Sequence, residues 1–242
     1  IVWLGEAGAA TAHVGPQTRV IELDGRSVLP GFIDTHIHSM DTLPLVNGVT
    51  LSPYQSAEEV LATIAEHART HLYQNPVIGI GFLAPAFGVS GPTAAELDAV
   101  IPDRPALIID EGGHTAWANT LALKAAGISQ ETPDPVPGAH FFQRDESGNP
   151  TGWLVEGAAI DPVSEALGLV SEEALALAAP GFFEEMSAVG LTAAFDAGMI
   201  DTGEKGRALA LHMAEAGTFP LRMVASLYVN QPEQLPDALA VP

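Results

Sequence analysis

Two histidines stand one residue apart in VLPGFIDTHIHSM, residues 28–40. In a strand, residues i and i+2 project to the same side, so His36 and His38 would present two imidazoles together. Such a pair at a strand's C-terminal end can grip one divalent cation, with Zn²⁺ the natural choice. Asp34 lies on the same face and could buttress the rings. The competing reading is a pair of strand-end histidines that cap a loop. The chain contains no cysteine, so any metal must sit on His, Asp or Glu.

The other histidines are less eloquent. His114 follows IIDEGG, a strand running into glycines that would carry its ring to the strand's end. Asp110 and Glu111 precede it and are placed to orient the ring or raise its pKa; alternatively, His114 begins a helix and caps the loop. His67 and His71, in EHARTH, have the i,i+4 spacing of a helical chelate. They lack the HExxH context and lie on a polar helix face, so they read as solvated. His13, His140 and His212 show no partner in the sequence. Asp196 ends the apolar run LTAAFD, where a structural or supporting role fits.

These side chains need a scaffold, and the patterning describes one. Residues 1–29 hold short β-type pieces (IVWLG, RVIELDG, SVLP) separated by Gly and Pro. From Gly31 a strand–helix alternation begins. GFIDTHIH, PVIGIGFL, ALIIDEG, LTAAFDAG and LRMVASLYV read as strands. SAEEVLATIAEHARTHL reads as an amphipathic helix, with Ser56 as N-cap and Glu59 closing a capping box. PTAAELDAVI, HTAWANTLALKAAGI and GEKGRALALHMAEAG are further helices, the last two closed by Gly127 and Gly217. SEEALALAAPGFFEEMSAVG is a helix that Pro180 should kink or split. Apolar strands alternating with helices imply a parallel sheet covered by helices. About five strands are too few to close an eight-stranded barrel. Residues 129–160 interrupt the alternation with a hairpin around DESGNPTG, in the manner of a substrate-covering element.

Bulk properties narrow the function. A formal charge of −21 argues against a nucleic-acid or anionic-membrane surface. A hydrophobic share of 47% in 242 residues describes a well-cored globule, and no apolar run reaches transmembrane length. The lack of cysteine is compatible with a reducing cytosol, and cytoplasmic location is the expectation. No glycine-rich phosphate fingerprint follows the first strand. The chain opens without an initiator Met and ends on DALAVP in mid-pattern, which reads as part of a longer protein.

VLPGFIDTHIH resembles the first-strand signature of the amidohydrolase superfamily. PTAAELDAVIPDRPALIID, GGHTAWANTLALKAAGI, PTGWLVEGA and GLTAAFDAGM resemble, in order, segments of its family 3, the YtcJ-like metal-dependent hydrolases. The resemblance implies an α/β fold: a partial (β/α)8 TIM barrel over residues 30–242, with residues 1–29 part of a small β-sandwich. It implies His36 and His38 as metal ligands for one or two divalent ions, most simply Zn. It sets His114 at the barrel mouth as a catalytic, substrate-contacting residue, and Glu156 at an acidic position of the branch. With Asp34 and Asp196, Glu156 completes the expected substrate-binding or supporting set. A bridging lysine, two further histidines and a catalytic aspartate are expected beyond this sequence. Neither lysine of the chain, Lys124 or Lys205, suits the bridge, because both fall on helical segments.

The activity implied is hydrolysis of an amide or cyclic amide by a metal-activated hydroxide, with a small-molecule substrate. Other amidohydrolase-fold chemistry (ester hydrolysis, deamination) and a non-catalytic barrel stay open. So does a homodimer.

Overall fold

The computed structural model describes residues 1, 3–229, 232 and 236. Residues from Phe32 onward fold as one unit and Ile1–Gly31 as another. In the larger unit the elements follow as β1 (Phe32–Ile37), α1 (Ser39–Thr42), β2 (Val49–Thr50), α2 (Ala57–Thr70), β3 (Val77–Phe82), α3 (Ala94–Val100), β4 (Ala106–Asp110), β5 (Thr115–Ala118) and α4 (Thr120–Ala125). They continue as β6 (Phe141–Arg144), β7 (Pro150–Val155), α5 (Gly157–Ala166), α6 (Glu172–Ala188), β8 (Leu191–Asp196), α7 (Gly203–Ala216) and β9 (Arg222–Ala225).

The strands form two sheets, ordered β1-β8-β9 and β2-β3-β4-β5-β7-β6. The first is wholly parallel, as expected from the alternation. In the second, β2, β3 and β4 are parallel, but β5, β7 and β6 extend it antiparallel. This corrects the expectation of a helix across HTAWANTLALKAAGI. Gly113, at φ +74, lets the chain reverse after β4, and Thr115–Ala118 pairs back on it. Trp117 is fully buried there, its ring 4.8 Å from Phe87 and 6.0 Å from Phe82 between centroids. The hairpin expected in 129–160 forms as β6 and β7, and it continues the sheet through β5. Gly152 is required in that seam: at φ +103, a Cβ on it would meet the Ala118 carbonyl oxygen at 2.5 Å.

Helix ends carry the signals read in the sequence. Ser56 makes its capping box with Glu59, and Thr93 makes a second, not read in the sequence, with Glu96. Gly217 closes α7 in the left-handed region. Pro180 neither splits nor ends α6, which runs unbroken for 17 residues. Pro180 and Ala176 are both exposed, so the carbonyl deprived of its donor faces water. Arg104 closes α2 from a distance: its buried guanidinium donates to the Ala68, His71 and Gln74 carbonyls.

Three apolar clusters form the core. Two lie on either face of the second sheet, one under α4 and α5, the other under α2 and α3. The third packs α6 and α7 on the first sheet around Phe183 and Met213. Phe32 and Ile33, at the start of β1, are about 60% exposed.

Residues 1–31 depart from expectation. None of IVWLG, RVIELDG or SVLP forms a strand among the described residues, and the regular element is a 3-10 helix over Ala7–His13. A strand bonds only to a neighbouring strand. Here the backbone bonds close local turns instead, such as Thr18 N–H to the Gly15 carbonyl and Arg26 N–H to the Leu23 carbonyl.

Asn119 fastens the second sheet to its helices. Its Oδ1 accepts from the Ala106 and Ala122 N–H groups at 3.0 and 2.9 Å, starting β4 and capping α4 together. Its Nδ2 donates to the Ile101 and Arg104 carbonyls at 3.2 and 2.8 Å, and the residue is fully buried. Asn119→Ala should therefore cost about 3 kcal/mol in urea unfolding, since it orphans several buried groups as well as a cap; a loss below about 1 kcal/mol would contradict this account.

Candidate functional site

The end of β1 and the loop after β8 are clasped together by hydrogen bonds. Asp196, fully buried, accepts from Ser39 N–H at 2.9 Å, Ser39 Oγ at 2.5 Å and Gly198 N–H at 3.1 Å. Ala197 N–H donates to the Ile37 carbonyl at 2.7 Å. Asp41 reaches across in the other direction and accepts from Ile200 N–H, Thr202 N–H and Thr202 Oγ1 at 2.7–2.9 Å.

The two histidines of HIH sit within this clasp. Their ring centroids lie 5.4 Å apart, at 78° between planes. β1 ends at Ile37, so His38 stands just past the strand, as the residue before α1. His38 Nδ1 lies 2.8 Å from the Gly198 carbonyl oxygen. A carbonyl only accepts, so the proton is on Nδ1 and the Nε2 lone pair is available to a metal. That donor arrangement fits a divalent cation. It fits as half a site, because no group of three or more His, Asp or Glu among the described residues is arranged to hold an ion. Asp34 touches His36 through the backbone, accepting its N–H at 2.9 Å, rather than through the ring.

Beside the clasp lies a cavity of about 230 Å³. Ile80 of β3 and Ile109 of β4 line its floor near the strands' C-terminal ends, and Gly113 and Gly157 line it too. Its polar wall carries Asp41, Asp161, Glu165 and Asp201. Asp201 is pushed up to about 6 by burial, with the Asp41 and Asp161 charges adding to the effect and His38 opposing it. Asp161 is also raised, by burial and then by Glu165, against His140. Sequence reasoning missed Asp41, Asp161 and Asp201. No spacing links them, and only Asp41, three residues after His38, lay near a recognised signal. A second groove of about 430 Å³, lined by Met199, Phe219 and Met223 among others, includes no histidine among the described residues.

His114 and Glu156 meet, although 42 residues separate them: Nδ1 lies 3.1 Å from Oε2. The Glu156 carboxylate, first by its hydrogen bond and then by its charge, raises the His114 pKa, and Asp110 adds a smaller push. The orienting role expected of Asp110 and Glu111 thus falls mainly to Glu156. Asp110 is engaged by Thr115 N–H at 2.9 Å. No hydrogen bond or ion pair among the described residues joins this pair to His36 or His38.

The remaining histidines are more engaged than their sequence suggested. His67 and His71 stack with centroids 4.0 Å apart, and His67 Nε2 meets Gln74 Oε1 at 2.6 Å. His140 Nδ1 accepts the Ala158 N–H in the first turn of α5 at 3.2 Å. His13 stacks on Trp3. Lys124 and Lys205 lie on α4 and α7, as expected.

Comparison with known proteins follows the same direction. The profile of the amidohydrolase family matches residues 19–240. An N-substituted formamide deformylase from Arthrobacter pascens is 36% identical over 162 residues, covering 66% of this chain and 30% of that protein. The exoenzymes regulatory protein AepA of Pectobacterium carotovorum is 35% identical over 65% of this chain and 35% of its own length. The putative amidohydrolase YtcJ of Bacillus subtilis is 34% identical over 62% of this chain and 29% of its own. The chain thus spans about a third of the length of these relatives. Its fold is similar to the crystal structure of an uncharacterized metal-dependent hydrolase from Pyrococcus horikoshii OT3, with TM-score 0.59 and 20% identity, over 87% of this chain and 38% of that one. A second, from Pyrococcus furiosus, gives TM-score 0.55 over 86% of this chain and 39% of the other.

The acidic wall has a measurable signature. Asp201 holds its proton to about pH 6, above the ordinary 3.8, so its ionisation opposes folding. Its contribution to stability is full below about pH 4 and is lost as pH rises through 6. Carboxyl NMR should show Asp201 titrating near 6, and Asp161→Asn should lower that value. Asp201→Asn should gain stability over the wild type as pH rises from 4 to 7; an unchanged difference across that range would contradict the assignment.

Proposed function

Because this chain belongs to the amidohydrolase family, we propose that it is part of a metal-dependent hydrolase of carbon–nitrogen bonds, cleaving an amide or cyclic amide in a small molecule. The observation that carries this reading is the His36–His38 pair, side by side, with His38 Nδ1 committed to the Gly198 carbonyl. In this reading the strands from β1 onward form the N-terminal portion of a (β/α)8 barrel. The reading keeps residues 1–29 as part of a small β-sandwich, supported by the unit boundary after Gly31 although they form no strand of their own among the described residues.

His36 and His38 would hold the cation, Zn²⁺ by the chemistry of two imidazoles in a chain without thiolates. When bound, such an ion polarises a carbonyl and acidifies water. The chain's own groups do the rest. The Gly198 carbonyl fixes the His38 tautomer, Asp196 anchors the turn that follows, and Asp34 stiffens the strand at His36. His114, beside the cavity, would donate a proton or hydrogen bond to the oxygen or nitrogen on which charge develops. The acidic wall disfavours a substrate with its own carboxylate close to the reacting bond. The formamide-cleaving relative supports the amide class over ester hydrolysis or deamination. The other metal ligands and the proton-shuttling aspartate are those that the family resemblance places beyond this sequence.

Metal analysis of the intact protein, paired with hydrolysis assays, tests the reading. Bound Zn, Fe or Mn should fall in His36→Ala/His38→Ala, and amide hydrolysis should fall at least about 10²-fold. The assay panel would set N-substituted formamides and cyclic ureides against esters and aminopyrimidines. A metal-free wild type, or full activity without both rings, would instead favour a barrel that has lost catalysis.

A further inference from the structure

Glu156 is one of two non-glycine residues with positive φ among the described residues, with Asp24. It stands at φ 68 and ψ 160, a region that side chains avoid and that is essentially confined to glycine. Its carbonyl starts α5, accepting the Ala159 and Ile160 N–H groups at 3.0 and 3.3 Å, but its side chain makes no capping bond there. The conformation instead turns both ends of the residue onto His114. Its N–H donates to the His114 carbonyl at 2.7 Å, and its Oε2 accepts a hydrogen bond from His114 Nδ1–H at 3.1 Å.

The consequence for the ring is specific. With Nδ1 bound to a carboxylate, Nε2 is the nitrogen left for chemistry, and it has no protein partner among the described residues. The side chain of His114 is 75% exposed, so no packing holds the ring and this contact decides its direction. Gly113 and Gly157, the neighbours of the two residues, both line the acidic cavity. The charged groups facing the ring are Glu156 from the β7–α5 junction and, more weakly, Asp110 from the end of β4. Asp110 is already engaged by Thr115 N–H.

We propose that Glu156 is a positioning residue whose strained backbone serves to aim His114, with Nε2 toward the cavity, as the proton donor of the hydrolytic reaction. The proposal rests on the hydrolase reading above. It differs in kind from a supporting salt bridge, because the backbone strain and the orientation of the ring are linked. Relieving the strain should stabilise the fold and impair the reaction together.

The intact protein, Glu156→Gln, Glu156→Gly and His114→Ala would be compared by imidazole NMR titration, thermal unfolding and hydrolysis of an N-substituted formamide probe. In the wild type, ¹⁵N shifts should place the neutral-form proton of His114 on Nδ1, and the ring should titrate above an ordinary histidine. Glu156→Gln should lower that titration and move the pH limb of turnover with it. The cost should be about 10- to 100-fold in kcat with KM little changed, and the loss should not add to that of His114→Ala. Glu156→Gly should raise Tm and lower turnover. Parallel losses of Tm and turnover, with the His114 titration unmoved, would mean a merely structural residue and would overturn the proposal. Full turnover in both Glu156→Gln and His114→Ala, with His36→Ala inactive, would overturn it while leaving the hydrolase reading intact. A wild type that holds metal but hydrolyses nothing in the panel would overturn both.

Discussion

The hydrogen-bonded clasp between residues 37–41 and 196–202 is the constraint on which the site depends. Asp196 and Asp41 reach across it in opposite directions, Asp196 accepting from the Ser39 N–H and hydroxyl and Asp41 from the Ile200 and Thr202 N–H groups. Carboxylate acceptors bind N–H groups more strongly than carbonyls do, and the buried Asp196 would be costly if any of its partners were lost. One set of bonds thereby holds β1 beside β8 and orients His38. It also brings Asp201 to the cavity wall. The two strands are neighbours although more than 150 residues separate them, so this junction joins segments distant in the chain.

The second half of the site depends on the reversal of the sheet. Had the chain gone straight from β4 into a helix, His114 would lie at a helix start. Instead the glycine turn sends it back along β4, and β7 joins the far side of β5. Thr115 pairs with Val155, so the residues that precede and follow this pair, His114 and Glu156, meet at the same end. The 129–160 excursion contributes a sheet edge and a strained corner, and its Gly157 and Ile160 line the cavity.

Membership of the amidohydrolase family and a fold shared with metal-dependent hydrolases agree with a site of this kind. The family relatives also include a regulatory protein, so shared ancestry alone does not name a reaction. The side chains that bear on chemistry are a histidine pair with one tautomer fixed, a histidine held by Glu156 next to a cavity-lining glycine, and a wall of carboxylates. The same acidity agrees with a net charge of −21 on the whole chain.

Local chemistry was legible in the sequence. The capping box at Ser56, the glycine stop after α7 and the run of β1 into HIH follow from interactions between near neighbours, and each formed as read. The adjacency of His36 and His38 followed from residue spacing alone. Pairing across long separations was not legible. The fates of HTAWAN, a strand rather than a helix, and of the pieces in residues 1–29, turns rather than strands, depend on whether a partner edge is within reach. Likewise, the partner of His114 was sought next to it in the chain and found 42 residues away. The sequence by itself determined which groups could do chemistry, because side-chain type and short spacing are local properties. Only the tertiary structure decided which carboxylate meets which histidine, and at what strain, because a hydrogen bond 3 Å long depends on how distant segments pack.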